Sequence, residues 1–399
     1  MVFIPFGLPL LYIFPLFGSS NTFLLQAILI NISALLIICS NGLKESLNEL
    51  GSYKYLVIIF SIIVALSTLL FSSSLPTGLL GLKGDYQGAI FQLSSLLLGL
   101  YVAPRLLAKN NLRDITTIMS LVCAISIIVD LPFLINGIRL SGLLLHDTAM
   151  SLYAAITFGF NIIQLKSSVN NKNFKLRGVG ALVSLLAVLL TASRIGLFVL
   201  IAIIVFNFFI VRKPIVSFKL SLIIVASICV LLLSFSPASR LVKISKIHKG
   251  VSYRLQLYEW SIRQSRLSLI GLGASQTYRA LIPDGYTSIP PVIKDTLNKG
   301  YPLWYTHSQF IDKYIQYGAL GSGIFVSLVA ASVLSYRKML LSRRMHDHEH
   351  LELQTLQVFG IALIATLGHF MVDTPNIILA PIVYISLFGI IIINTRLSY

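Results

Sequence analysis

Long, unbroken apolar runs separated by short polar loops make up most of this chain, and strict apolar–polar alternation over ten-residue stretches is missing. A run of about twenty apolar residues is what a helix needs to cross the hydrocarbon core, where every peptide N–H and C=O must be bonded within its own segment. Alternation would have pointed to a membrane barrel instead. The pattern predicts an all-α integral membrane protein with twelve spans, at 2–18, 22–39, 55–71, 89–104, 115–136, 148–165, 179–193, 195–211, 220–235, 313–336, 353–372 and 376–394. Only 236–306 is both long and polar. Three sections follow: 1–235 with nine transmembrane helices, 236–312 as a loop with short helices, and 313–399 with the last three spans.

Composition agrees. The 399 residues are 56% hydrophobic and 11% charged, with a mean hydropathy of +0.85, against about 25% charged residues in a soluble domain. The net charge of +17 does not point to nucleic acid, because the basic residues sit in short loops between spans, where membrane orientation places them. One side carries Lys44, Lys54, Arg105, Lys109, Arg113, Lys166, Lys172, Lys175, Arg177, Arg212, Lys213, Lys219, Arg337, Lys338, Arg343, Arg344 and Arg396. The short loops of the other carry Lys83, Arg139 and Arg194. The excess of Lys and Arg marks the cytoplasmic side, so both termini are expected there and 236–306 in the periplasm. Long loops escape the charge rule, so the basic residues of 236–306 do not oppose this. The first run has no charged start and no clean small-residue cleavage site, and is expected to stay as a span. Cys39, Cys123 and Cys229 lie inside apolar runs and read as small buried hydrophobes.

The long segment opens with Arg240, Lys243, Lys246 and Lys249. Ser252–Leu267 reads as a surface helix, with Leu255, Tyr258, Ile262 and Leu269 at near-helical spacing. Gly271-Leu272-Gly273 reads as a turn, and Pro283, Gly285, Pro290, Pro291, Gly300 and Pro302 punctuate an irregular stretch. Its aromatics, Tyr301, Trp304 and Tyr305 among them, suit either an interfacial anchor or stacking on sugar rings. His346-Asp347-His348-Glu349-His350 is the one metal-like spacing, but it falls in a cytoplasmic loop and reads as solvated.

Four residues are placed on the outer face by sidedness: Arg139, Arg194, Arg254 and His307. Guanidinium forks suit phosphate oxygens, and histidine is the side chain best suited to take a proton near neutral pH. Transfer from a diphosphate leaving group to a hydroxyl needs those two functions. The plainer roles are snorkelling arginines at helix ends, an interfacial His307 beside an N-capping Ser308, and Gly318 and Gly321 easing helix packing. Spacing alone leaves both sets open.

Four elements resemble the bacterial O-antigen ligase and polymerase superfamily. His307-Ser308-x9-Gly318-Ala319-Leu320-Gly321 resembles the ligase signature, and Thr191-Ala192-Ser193-Arg194-Ile195-Gly196 its Ser-Arg-x-Gly element. Tyr253-Arg254-Leu255-Gln256-Leu257-Tyr258-Glu259-Trp260, then Leu269-Ile270-Gly271-Leu272-Gly273, resembles its Arg–Trp block and following Gly-x-Gly, with the Arg254–Trp260 spacer a departure under one alignment. Arg139-Leu140-Ser141-Gly142 resembles an Arg-x-x-Gly element.

The resemblance implies an all-helical, GT-C-like membrane glycosyltransferase with a large periplasmic loop. Its donor would be a glycan on undecaprenyl diphosphate, used without a metal or other cofactor. His307 would be the catalytic base. Arg194 and Arg254, with Arg139 as a lesser candidate, would hold the diphosphate. Trp260, Tyr301, Trp304 and Tyr305 would meet acceptor or sugar. The implied reaction is ligation of O-antigen to the lipid A–core of lipopolysaccharide, inverting, at the periplasmic face of the inner membrane. An O-antigen polymerase with the same donor is the nearest rival. A polysaccharide flippase is the non-enzymatic one, disfavoured because only Asp130 and His369 lie well inside spans.

Overall fold

The computed structural model describes residues 2–13, 19–40, 42–81, 88–106, 109–136, 138–144, 146–167, 173–209, 244–264, 268–275, 277, 290–291, 293–294, 306, 308–341, 350–370 and 379–398. Among these there are helices and no strands. In chain order they are α1 Ile4–Gly7, α2 Ser19–Cys39, α3 Gly42–Glu49, α4 Lys54–Phe71, α5 Leu75–Leu80, α6 Ala89–Arg105, α7 Lys109–Ile135, α8 Asp147–Ser167, α9 Asn173–Leu190, α10 Arg194–Phe209, α11 Ile244–Gln264, α12 Gln309–Leu341, α13 His350–Phe370 and α14 Leu379–Ser398. Ten of the twelve expected spans coincide with a helix, and 220–235 lies outside the described residues. Five helices are long and apolar enough to cross a membrane among the described residues, or up to six if Leu24–Cys39 and Gly42–Glu49, bent by 88°, form one broken span. The chain is a multi-pass, all-helical membrane protein.

The expected first span is the exception. Residues 4–7 are α-helical and Leu8–Ile13 continue as a 3₁₀ helix. Pro5 suits the first turn of a helix, but Pro9 has no N–H to donate and interrupts the α-helical ladder. Cys123 is buried as expected, whereas Cys39, at the end of α2, is exposed.

The chain forms two compact units, each assembled from separate stretches: Met1–Leu16, Val102–Lys243 and Tyr336–His369 in the first; Phe17–Tyr101, Ile244–Ser335 and Phe370–Tyr399 in the second.

In the first unit α8 is the central helix, buried over most of its length, while α7 turns Leu121, Ile128, Val129 and Leu131 outward, as a lipid-facing helix does. Small and polar residues bring α8 close to its neighbours, as membrane helix packing favours. The Asn161 amide donates to Ser120 Oγ (2.9 Å) and the Gln164 amide to Thr116 Oγ1 (2.6 Å), both on α7. A Cβ on Gly159 would lie 2.6 Å from Ile361 of α13.

The two ends of this bundle carry the charges that the loop pattern assigned to opposite sides. Arg177 at the start of α9 donates to the Arg113 carbonyl (2.9 Å) and to Thr117 Oγ1 (3.0 Å) at the start of α7. At the far ends of the same two helices, Leu140 N–H donates to the Leu190 carbonyl (3.1 Å). Arg139 and Arg194 therefore share one end, opposite Arg113 and Arg177.

In the second unit α14 is central. A Cβ on Gly99 of α6 would lie 2.4 Å from Tyr384 Cβ, and Ser332 Oγ of α12 donates to the Leu387 carbonyl (3.0 Å). Helix α4 exposes Ile58, Ile62, Leu66 and Leu69 in a row. Arg396 grips Glu49 with two hydrogen bonds of 2.7 and 2.8 Å, so the end of α14 and α3 lie together, as expected for one membrane side. The sidedness itself is tested by fusion. Alkaline phosphatase at Gly285 should be active and at Arg344 inactive; the reverse pattern overturns the assigned orientation.

The helix expected from Ser252 begins earlier, at Ile244. Its buried face is Leu257, Trp260 and Ser261, whereas Leu255 and Ile262 are exposed, as is Leu269 beyond its end. The apolar spacing was periodic, but burial follows the Leu257–Trp260–Ser261 face, one step round the helix.

Candidate functional site

Three of the four sequence elements are described in full, and the fourth in all but His307. In the first unit, Arg139-Leu140-Ser141-Gly142 forms a strap across the ends of α7 and α9. Asp130, near the end of α7, accepts from Ser141 N–H (2.8 Å) and Gly142 N–H (2.7 Å), and Ser126 Oγ accepts from Leu143 N–H (3.1 Å). Asp130 is thus a fastening for the strap. Gly142 has φ +58°, and a Cβ there would sit 2.5 Å from Ser126 Cβ, so only glycine fits.

Arg139 at the head of the strap donates to Asp147 Oδ2 at 2.6 Å. Asp147 opens α8, and its Oδ1 accepts from Thr148 N–H (2.8 Å) and lies 3.8 Å from His146 Nδ1. The pair is part-exposed, with 37% of the Arg139 and 25% of the Asp147 side chain accessible. A pair of that exposure contributes about 0–1 kcal/mol, so it orients the arginine more than it stabilises the fold. The sequence reading missed Asp147; its signal was an acidic residue at the start of a predicted span, eight residues after the arginine.

Thr191-Ala192-Ser193-Arg194-Ile195-Gly196 makes the tight reversal between α9 and α10. Ala192 takes φ +47°, uncommon for a residue with a Cβ. Ser193 Oγ accepts from Gly196 N–H (3.4 Å) as an N-cap. A Cβ on Gly196 would lie 2.4 Å from Ser151 Cβ of α8, so α10 starts hard against α8. Thr191, Ala192 and Ser193 are buried and Arg194 is exposed. The Leu140–Leu190 bond holds strap and reversal side by side, and the two arginine elements meet through their backbones.

In the second unit the two remaining elements dock on each other. Segment 268–273 runs along 315–320: Leu272 N–H donates to the Ile315 carbonyl (2.9 Å), Gly273 N–H to Gln316 (2.8 Å), Ala319 N–H to Ser268 (3.0 Å) and Leu320 N–H to Leu269 (3.2 Å). Gly271-Leu272-Gly273 is therefore a docked segment. A Cβ on Gly271 would lie 2.4 Å from the Ile315 carbonyl oxygen. Gly318 breaks α12, with φ +66° and ψ −167°, and a Cβ there would lie 2.4 Å from the Leu269 carbonyl oxygen. Its role is to open the helix so that 268–270 can bond to it, in place of the helix-packing role spacing suggested. Irregular backbone near a membrane is tolerated where protein satisfies it, and segment 268–273 does so.

His307 lies outside the described residues, as do Tyr301, Trp304 and Tyr305. Its sequence neighbours are tightly held: Thr306 N–H donates to Asp312 Oδ1 (3.0 Å), Thr306 Oγ1 donates to the Ser308 carbonyl (3.1 Å), and Ser308 O accepts from Asp312 N–H (2.9 Å). Ser308 is buried. Arg254 on α11 is half-buried and has no ion pair among the described residues. Trp260, two turns further on, is turned inward and 9% exposed.

Residues 179–326 match the family described as O-antigen ligase. Over that stretch, less than half of the chain, the sequence is similar to the O-antigen ligase family. The family segment runs from α9, through the Ser193-Arg194 reversal and α11, to the stretch of α12 just past the Gly318 break. It takes in three of the four elements, and Arg139 lies before it. The match supports an enzymatic function of O-antigen ligase or polymerase type. No curated protein matches the chain.

Proposed function

We propose that this protein transfers O-antigen polysaccharide from undecaprenyl diphosphate to the lipid A–core of lipopolysaccharide, at the periplasmic face of the inner membrane. The single observation that carries the reading is the family match over 179–326, which encloses Arg194, Arg254 and His307.

His307 takes the proton from the acceptor hydroxyl as its oxygen attacks the anomeric carbon. The bond from that carbon to the diphosphate breaks on the opposite face, the configuration inverts, and undecaprenyl diphosphate leaves. Arg194 and Arg254 hold its oxygens by charge-assisted, forked hydrogen bonds that strengthen as charge develops on the leaving group. Arg139, already engaged by Asp147, has less of its guanidinium to offer and is a secondary contact. Tyr301, Trp304 and Tyr305 are assigned to sugar contacts. Trp260, buried on α11, supports that helix and reaches a sugar only at its edge.

Deletion of the gene followed by silver-stained lipopolysaccharide profiling tests the assignment. The expected profile is bare core, with full-length glycan retained on the carrier lipid. Core bearing a single repeat unit would make the protein a polymerase. Unpolymerised units retained on the cytoplasmic side would make it a flippase.

A further inference from the structure

The first two turns of α12 carry a pattern the reaction scheme above does not use. A helix that turns one face into a protein interior places apolar residues at i, i+3, i+4 and i+7. Starting at Gln309, those positions hold Gln309, Asp312, Lys313 and Gln316, and all four are buried, at 7, 1, 4 and 5% exposure. Tyr317, one residue further, is fully buried as well. The inward face is polar where the fold alone calls for an apolar one.

These side chains meet a second set from elsewhere in the same unit. Lys313 Nζ and Tyr317 Oη both donate to Gln92 Oε1 on α6, and Lys313 Nζ sits 5.0 Å from the centre of the Tyr317 ring. The Gln92 amide donates to Gln316 Oε1 (3.3 Å), and the Gln316 amide donates to Thr277 Oγ1 (3.1 Å). Asp312 is turned to the Thr306 N–H. Lys313 has no ion pair within 4 Å among the described residues, and its three ammonium hydrogens find one hydrogen-bond acceptor there. Gln309 Oε1 is buried and has no hydrogen-bond partner among the described residues.

A buried ammonium costs several kcal/mol unless it is paired. Replacing a buried charge by an apolar side chain of similar volume is often neutral or stabilising, so the fold by itself gives little reason for a lysine at 313. Every member of the Lys313–Gln92–Gln316–Tyr317–Thr277 cluster can donate a hydrogen bond, and none is a carboxylate. A cationic, donor-rich, water-poor cluster suits a phosphate anion. Asp312, which precedes Lys313 in the chain, holds the N–H of Thr306, the residue before His307 in sequence.

We propose that the buried polar face of α12 centred on Lys313 is a binding site for a phosphate group of a lipid-linked substrate. The ammonium gives that phosphate the hydrogens Gln92 leaves unused. The inference rests on the lipid-diphosphate reading above, and the phosphate belongs either to the polyprenyl diphosphate donor or to a phosphorylated lipid A–core acceptor.

The test uses the full-length protein in nanodiscs, with undecaprenyl diphosphate and phosphorylated lipid A–core as separate probes and undecaprenol as the phosphate-free control. Lys313→Met should unfold at the wild-type temperature or above and bind one of the two phosphorylated probes at least tenfold more weakly. That probe identifies the source. Undecaprenol binding should not change, and Lys313→Arg should recover part of the loss. Lys313→Gln, which keeps a hydrogen bond to Gln92 without the charge, reads the same quantity if the methionine variant fails to insert. If wild type binds a phosphorylated probe and the uncharged variant binds both as tightly as wild type, the phosphate site is overturned and the donor reading stands. If wild type binds neither, both fall.

Discussion

Replacing His307 with alanine is expected to lower turnover by roughly 10²–10⁴-fold, the range that a positioned general base contributes. Expression and donor affinity should stay near wild type, because the imidazole acts on the acceptor hydroxyl and not on the diphosphate. Arg194→Ala and Arg254→Ala should behave differently and weaken donor binding as well, since each removes a charge-assisted bond to the leaving group. Arg194→Lys should recover part of the affinity: the ammonium keeps the charge but not the fork. Steady-state transfer rates and donor titrations on purified protein separate the two classes. A His307→Ala protein that inserts normally and ligates at the wild-type rate would return His307 to an interfacial histidine at the head of a helix. The same result would leave transfer without its proton acceptor.

Gly318→Ala should be the most damaging single-methyl change in the second unit. At φ +66° and ψ −167° the backbone is in a region open essentially to glycine alone, where another residue costs on the order of 1–3 kcal/mol. The added Cβ would also stand 2.4 Å from the Leu269 carbonyl oxygen, which is backbone and cannot rotate aside. The Leu320–Leu269 and Ala319–Ser268 hydrogen bonds would part, and segment 268–273 would lose its seat on α12. A loss on the order of 3 kcal/mol or more is expected, seen as a lower unfolding temperature in detergent and less protein in the membrane. Gly323→Ala, further along the same helix and with nothing within 4 Å of its Cβ, should fall within about 0.5 kcal/mol of wild type. Equal unfolding temperatures for the two variants would show that the break at Gly318 is not what holds the docked segment.

Much of the architecture was legible because a bilayer leaves the backbone few choices. The apolar runs at 55–71, 115–136 and 148–165 became α4, α7 and α8 with ends shifted by a few residues, since length and continuous apolarity suffice when no water can satisfy an open peptide group. The run at 2–18 broke into a short α-helix and a 3₁₀ helix, because Pro9 counted as apolar in the pattern yet removed a donor from the ladder. Around α11 the helical period was legible, whereas the face that is buried was not. Leu255 and Ile262 stand exposed while Leu257, Trp260 and Ser261 turn inward. Periodicity gives the existence of a face, whereas its direction depends on what the rest of the unit presents.

The sequence by itself determined the membrane class, the helical backbone, which loop charges gather at the same end of the first unit, and the residue types able to handle a diphosphate and a proton. These follow from local facts: run length, loop charge and the chemistry of single side chains. Tertiary structure alone decided that Leu140 bonds to Leu190 and so sets the Arg139 strap beside the Arg194 reversal, that Asp147 engages Arg139, and that the Gly-x-Gly segment lies along 315–320 with Gly318 opening the helix for it. It also decided that Lys313, at the edge of an expected span, is buried on Gln92 of a helix more than two hundred residues away in the chain. Each is a contact between segments far apart in sequence. No one-dimensional pattern specifies it, because the partner of a polar group in a water-poor interior is fixed by which other segment reaches it first with a matching donor or acceptor.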